Sequence, residues 1–183
     1  INGLPREIRD ASGNLLGYGY QQPSSGNGPD EGKYVVAKTT AGMFDGWSNN
    51  GTPIKGNTKG DDETVDGFMI INANNTKGQI FTFEVNNLCT QTTYDFSADI
   101  CFLDFLYPTK DDTPVDIKFT ITGYLPNGSV GFTKERTTGV IASPGTWDEY
   151  GLTFNTENCV RVQLTMYNNM EGEVDNKGKV KGN

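Results

Sequence analysis

The feature that most narrows the fold of this chain is a period of two. Tyr94, Phe96, Ala98, Ile100 and Phe102 fall on one phase of a run whose other phase holds Asp95, Ser97 and Asp99. Ile117, Phe119 and Ile121 alternate with Asp116, Lys118 and Thr120. Val160, Val162, Leu164 and Met166 alternate with Arg161, Gln163, Thr165 and Tyr167, and Phe81, Phe83 and Val85 with Thr82 and Glu84. Successive side chains of an extended strand point to opposite faces, so each run makes a strand with one apolar and one wet face. Strands of that kind bury their apolar side by stacking as two antiparallel sheets.

Turn residues punctuate these runs, and helical periodicity is nearly absent. Strands are expected over Lys33–Lys38, Gly67–Ala73, Gln79–Val85, Thr92–Leu103, Val115–Tyr124, Ser129–Glu135, Glu149–Asn155 and Cys159–Asn168. Pro126-Asn127-Gly128 reads as a hairpin turn, and Gln21 to Pro29, rich in Ser, Gly and Pro, as a loop. The 183 residues, 34% of them hydrophobic, suit one core. The expected layout is a single domain: an irregular segment over 1–32, a sandwich over 33–168 and a polar tail over 169–183. Asp45 to Asp66 reads as a long polar surface excursion, and connections of that length are usually functional or tied down by a metal.

Composition removes several chemistries. The chain has no histidine, hence no His general base, no His metal ligand and no Ser-His or Cys-His nucleophile. Cys89, Cys101 and Cys159 lack CxxC spacing, so neither a zinc site nor a thioredoxin-like motif is built. Their odd number leaves a thiol over, and buried free cysteines acting as small hydrophobes are expected. A net charge of -8 excludes nucleic acid, whose phosphates need a basic footprint. No apolar stretch approaches a membrane span, so no membrane insertion is expected. The abundance of Asn, Gly and Thr points to a secreted or cell-surface protein.

Longer segments carry a resemblance. Asp66-Gly67-Phe68-Met69-Ile70-Ile71-Asn72-Ala73, Leu88-Cys89-Thr90-Gln91-Thr92-Thr93-Tyr94-Asp95-Phe96-Ser97-Ala98, and Gly145-Thr146-Trp147-Asp148-Glu149-Tyr150-Gly151-Leu152-Thr153-Phe154 resemble a jelly-roll module of Bacteroidetes-type surface and secreted proteins. That module is similar in turn to carbohydrate-binding, galactose-binding-like sandwiches. The resemblance covers Lys33 to Asn168. It implies an all-β, two-sheet antiparallel jelly roll in which Trp147 is a packing residue. It also implies a closing strand between the run at Gly67 and the run at Thr92. Such modules end on an apolar strand, whereas the residues after Asn169 are polar and Lys-rich. The place is therefore expected to be filled by Ile1–Ile8, by residues beyond this sequence, or by a strand from a neighbouring chain through an open sheet edge.

In jelly-roll order the strands at Gln79, Cys159, Val115 and Ser129 share one sheet. Its outward face then carries Thr82, Glu84, Lys118, Thr120, Arg161, Gln163, Thr165 and Tyr167. Planar donors for vicinal hydroxyls beside an aromatic ring suit a sugar, so Glu84, Lys118, Arg161, Gln163 and Tyr167 are candidate ligand-binding residues for a polysaccharide or glycan. The competing role for the same residues is a solvated face laced with cross-strand ion pairs. Trp47, in the polar excursion, is a further candidate, either a ligand platform at the sandwich rim or a plug that anchors the loop. Asp61, Asp62 and Asp66 fall in a carboxylate cluster without a basic neighbour, where solvated charge competes with calcium, a hard cation taking six to eight oxygens. That stretch lacks the EF-hand pattern. Glu173-Val174-Asp175 is only part of the carboxylate motif of jelly-roll glucanases, and no enzyme is expected. The function expected is a non-catalytic carbohydrate-binding-like module. The alternative is a structural, adhesin or fibre subunit that binds protein partners.

Overall fold

The computed structural model describes residues 17–23, 27–56, 67–74, 76–106 and 114–171. Among them the strands are β1 (Gly19–Tyr20), β2 (Lys33–Ala37), β3 (Ser48–Asn49), β4 (Thr52–Pro53), β5 (Phe68–Asn72) and β6 (Gly78–Asn86). They continue with β7 (Thr93–Cys101), β8 (Ile117–Tyr124), β9 (Val130–Thr137), β10 (Trp147–Asn155) and β11 (Arg161–Asn168), and the one helical element is a single 3-10 turn, Asp45–Trp47. The protein is all-β, as the period-two runs require.

Strands β6, β11, β8 and β9 form a four-stranded sheet in that order, each pair antiparallel. This is the sheet expected from the runs at Gln79, Cys159, Val115 and Ser129. The other strands make an antiparallel pair, β10–β7, and a three-stranded unit, β1–β2–β5. Phe96 of β7 meets Phe119 of β8 with ring centroids 5.4 Å apart, which joins the two layers. One cluster gathers Tyr34, Ile80, Phe81, Ile117 and Phe119. A second gathers Ile121, Phe154, Val162 and Leu164. Along β8 every residue of the Ile117 phase is buried and every residue of the Lys118 phase is half-buried.

Turn chemistry sets the hairpins. Asn50 and Gly51 have φ of 49° and 80°, the pair of left-handed conformations that a two-residue type I′ turn needs between β3 and β4. Between β8 and β9 the Gly128 amide donates to the Leu125 carbonyl at 2.8 Å, with Gly128 at φ 85°. Asn127 Oδ1 accepts from the Ser129 amide at 3.0 Å. The 87–92 loop is tied by Thr156, 0% exposed: its Oγ1 donates to the Cys89 carbonyl at 2.7 Å and accepts from the Thr92 amide at 3.0 Å.

Several expectations need correction. The segment read as irregular contains β1, and β1 pairs parallel to β2, so the sheets are not wholly antiparallel. Thr82 and Thr165 lie on the outward phase but are 4% and 6% exposed, because Thr82 Oγ1 donates to the Leu164 carbonyl at 3.0 Å and sits 3.1 Å from Thr165 Oγ1. The hydroxyls satisfy one another and need no water. Val85, on the inward phase, is exposed, as are its neighbours Glu84 and Asn86 at the end of the edge strand β6. The excursion after Asp45 is not simply surface chain: it forms the 3-10 turn and the β3–β4 hairpin, and Gly46 is buried. Among the described residues no ladder joins β5 to β7, the two strands between which the closing strand is expected. Ile1–Ile8 lies outside the described residues.

Phe119 is 1% exposed and bridges the two layers. Phe119→Ala is expected to lower the unfolding free energy by about 3–5 kcal/mol through lost burial and a residual cavity. Ile121→Val, at a site that is 0% exposed, is expected to cost only about 0.5–1.5 kcal/mol. Urea denaturation of both variants checks the ordering.

Candidate functional site

The outward face of the four-stranded sheet is ordered by register. One cross-strand row holds Asn86, Arg161 and Tyr124, and the next Glu84, Gln163, Thr122 and Thr133. The third holds Thr82, Thr165, Thr120 and Glu135, and the last Gln79, Tyr167, Lys118 and Thr137. The structure thus brings Glu84, Lys118, Arg161, Gln163 and Tyr167 together on one face. Two aromatic and cation pairs lie at opposite ends of β11. The Arg161 guanidinium lies 3.9 Å from the centroid of the Tyr124 ring and donates through Nη1 to Glu84 Oε1. The Tyr124 hydroxyl donates to Gln163 Oε1 at 3.4 Å. At the other end Lys118 Nζ is 5.0 Å from the Tyr167 centroid and 3.4 Å from Glu135 Oε1, which also accepts from Thr120 Oγ1 at 3.1 Å.

Exposed ion pairs contribute about 0–1 kcal/mol and exposed cation–π contacts about 0.5–1 kcal/mol. Their effect here is mainly to hold donors and rings in place. Two residues of this face, Tyr124 and Glu135, escaped the sequence reading. Tyr124 continues the Lys118–Thr120 phase and could have been found from it. Glu135 needed the strand order, since only the β8–β9 register puts a carboxylate opposite Thr120 and within reach of Lys118.

Trp47 does not belong to this face. It lies on the other side of the sandwich, at a cavity of about 420 Å³ lined by residues of both β5 and β7. There its ring meets Phe44 edge-on at 4.8 Å, and Trp147 meets Phe68 edge-on at 5.4 Å. The Trp147 indole donates to the Lys55 carbonyl at 3.2 Å, so this residue packs as expected and also lines the cavity. Thr40, 2% exposed, anchors the excursion that carries Trp47: its Oγ1 donates to the Trp47 carbonyl at 2.7 Å and accepts from the Ile54 amide at 2.9 Å. Trp47 is therefore both an anchor and part of a cavity wall. The Asn72 and Asn168 amides at the cavity are engaged elsewhere, Asn72 Nδ2 with the Pro29 carbonyl and Asn168 Nδ2 with that of Asn74. The charged side chains among its lining residues are both acidic, Asp99 and Asp104.

No family model, curated protein or solved structure matches this chain. Asp61, Asp62 and Asp66, the candidate calcium ligands, lie outside the described residues, as does Glu173-Val174-Asp175. Among the described residues no group of three or more acidic or cysteine side chains is placed to hold a metal ion.

The three cysteines are free, and only Cys159 behaves as the small buried hydrophobe expected. Cys89 is exposed and Cys101 is intermediate. Burial pushes the Cys101 thiol up to about 11, with the nearby Asp148 carboxylate adding to the rise and a hydrogen bond with the Gly145 backbone opposing it. Burial also raises the Cys159 thiol. Thiol-reactive reagent at pH 8 is expected to modify Cys89 first, Cys101 slowly, and Cys159 only on unfolding, because the thiolate is the nucleophile. The Cys101 thiol titrates near its ordinary value of 9.0 in the unfolded chain and about 11 in the folded one. Its stabilising contribution is complete below pH 9 and is lost as pH rises toward 11. Rates of modification against pH, with peptide mapping, check the order.

Proposed function

We propose that this chain is a non-catalytic carbohydrate-binding-like module of a secreted or cell-surface protein, with the polar face of the β6–β11–β8–β9 sheet as its glycan site. The observation that carries the reading is the unit built by Arg161, Tyr124, Glu84 and Gln163. A guanidinium held over a tyrosine ring beside a carboxylate, with a carboxamide one row away, offers planar donors and acceptors of the kind that bind sugar hydroxyls. The face also carries Thr122, Thr133 and Thr137, hydroxyls that exchange hydrogen bonds with a sugar as readily as with water.

Charge narrows the ligand. Lys118 and Arg161 are matched by Glu135 and Glu84, so the face has no net charge with which to hold a uronic acid or sulfate. A neutral polysaccharide fits. Tyr124 is level with Arg161, six residues from Tyr167 along β11, so the two rings stand about 20 Å apart at 3.3 Å per residue. The face is therefore long enough for an oligosaccharide running along the strand.

Replacing Arg161 and Tyr167 together with Ala is expected to abolish retention on neutral polysaccharides in affinity electrophoresis. The melting temperature is expected to move by only a few degrees, since such surface changes typically cost about 0.5 kcal/mol each. Undiminished binding by the double variant, or no binding by the wild type to any neutral glycan on an array, would overturn the assignment.

A further inference from the structure

Asparagine followed by glycine is chemically labile, because the glycine amide nitrogen attacks the side-chain carbonyl and no Cβ hinders it. Three such pairs lie among the described residues, Asn27-Gly28, Asn50-Gly51 and Asn127-Gly128, and a fourth, Asn2-Gly3, lies outside them. The fold treats the three differently. We propose that Asn50 is a modification site, at which the folded chain deamidates spontaneously to aspartate and isoaspartate while Asn27 and Asn127 are held back.

The reaction uses only water. Base removes the proton of the Gly51 amide, whose nitrogen then bonds to Asn50 Cγ. The Cγ–Nδ2 bond breaks, ammonia leaves with a proton from solvent, and a five-membered succinimide closes. Water adds to one of the two imide carbonyls and opens the ring. One opening gives aspartate, and the other routes the main chain through the side chain as isoaspartate.

The geometry of the β3–β4 hairpin favours Asn50. Asn50 and Gly51 are both exposed, so water and base reach the pair. They are the two central residues of their turn, whose closing bond joins the flanking residues Asn49 and Thr52 and not the central amides. To bring Cγ onto the Gly51 nitrogen, Asn50 has to leave its left-handed φ of 49°. That motion is cheap here, because the hairpin is two residue pairs long and Pro53 has no N–H to donate. Below it Thr40 holds the Trp47 carbonyl and the Ile54 amide, so the opening stays at the tip.

The other two pairs are restrained. The Gly128 amide donates to the Leu125 carbonyl, and Asn127 Oδ1 accepts from both the amide and the hydroxyl of Ser129, at 3.0 and 2.7 Å. Gly28 is buried, and a Cβ there would meet the Phe44 ring at 2.6 Å and the Trp47 ring at 3.2 Å, so the main chain at Asn27 has no room to turn. The consequence of modification falls on the excursion. Aspartate tolerates the left-handed conformation, whereas isoaspartate lengthens the main chain of a two-residue turn and disturbs the strand that follows Trp47.

The full chain is kept at mildly alkaline pH and sampled over days. Its peptides are mapped by mass spectrometry for the gain of about 1 Da that deamidation brings, and isoaspartate is identified in each with an isoaspartyl methyltransferase. The peptide holding Asn50 is expected to convert at least about tenfold faster than those holding Asn27 and Asn127. In urea at the same pH the three are expected to convert at similar rates, since the fold alone separates them. The proposal is overturned by equal rates in the folded chain, by earlier conversion at Asn27 or Asn127, or by an Asn50 that converts in urea and not in the folded chain.

Discussion

Strand β11 is the constraint on which the rest of the structure depends. It is paired along its length on both edges, with β6 and with β8. Its inward phase supplies Val162 and Leu164 to the core, and its outward phase supplies Arg161, Gln163 and Tyr167 to the polar face. A slip of one residue would exchange the two sets and bury Arg161 and Gln163 without partners. The register therefore has to be held hard. The Thr82–Thr165 hydroxyl pair and the Thr82 bond to the Leu164 carbonyl help to hold it, because they form in one register only. At the Tyr167 end the ladder shifts between Met166 and Tyr167, a bulge of the kind that re-aims a side chain. Tyr167 there faces Lys118.

The edges of the same sheet are managed differently. On β9, Lys134 and Arg136 lie on the core-facing phase, opposite Ile121 and Phe119, yet both are exposed. Arg136 Nη1 donates to the Gly151 carbonyl of β10 at 2.7 Å, tying this edge to the facing layer. Charges pointing inward on an edge strand also block pairing with another sheet. No comparable charge lies on β5, whose residues Phe68 to Asn72 are apolar apart from Asn72.

How much of this could be read from the chain follows from the distance over which each signal acts. The strands with strict alternation, β7, β8 and β11, were legible with their faces, because period two is a local property of one segment. The four-stranded order was legible through the resemblance. Burial of Thr82 and Thr165 was not, since a threonine reads as outward and wet until its hydroxyl partner on the next strand is known. The exposure of Val85 was hidden for a related reason: alternation assigns its phase, but nothing in the segment says what covers it. The aromatic cavity was the least legible feature. Phe44 precedes the excursion and Trp47 lies in it, Phe68 comes from β5 and Trp147 from β10, and no periodicity links segments so far apart. The Asn50-Gly51 turn, by contrast, was a plain two-residue hairpin signal inside a stretch whose polarity suggested only a loop.

The polar face owes its geometry to the two inner strands of its sheet. β11 and β8 are paired on both edges, so between them the main chain is engaged and only side chains meet the solvent. Arg161 and Lys118 each hold a carboxylate and a ring, which fixes their geometry at little cost in stability. A ligand on the proposed glycan face would exchange hydrogen bonds with groups that already have partners or water, so its affinity would come from many weak contacts along the strand and not from one deep pocket.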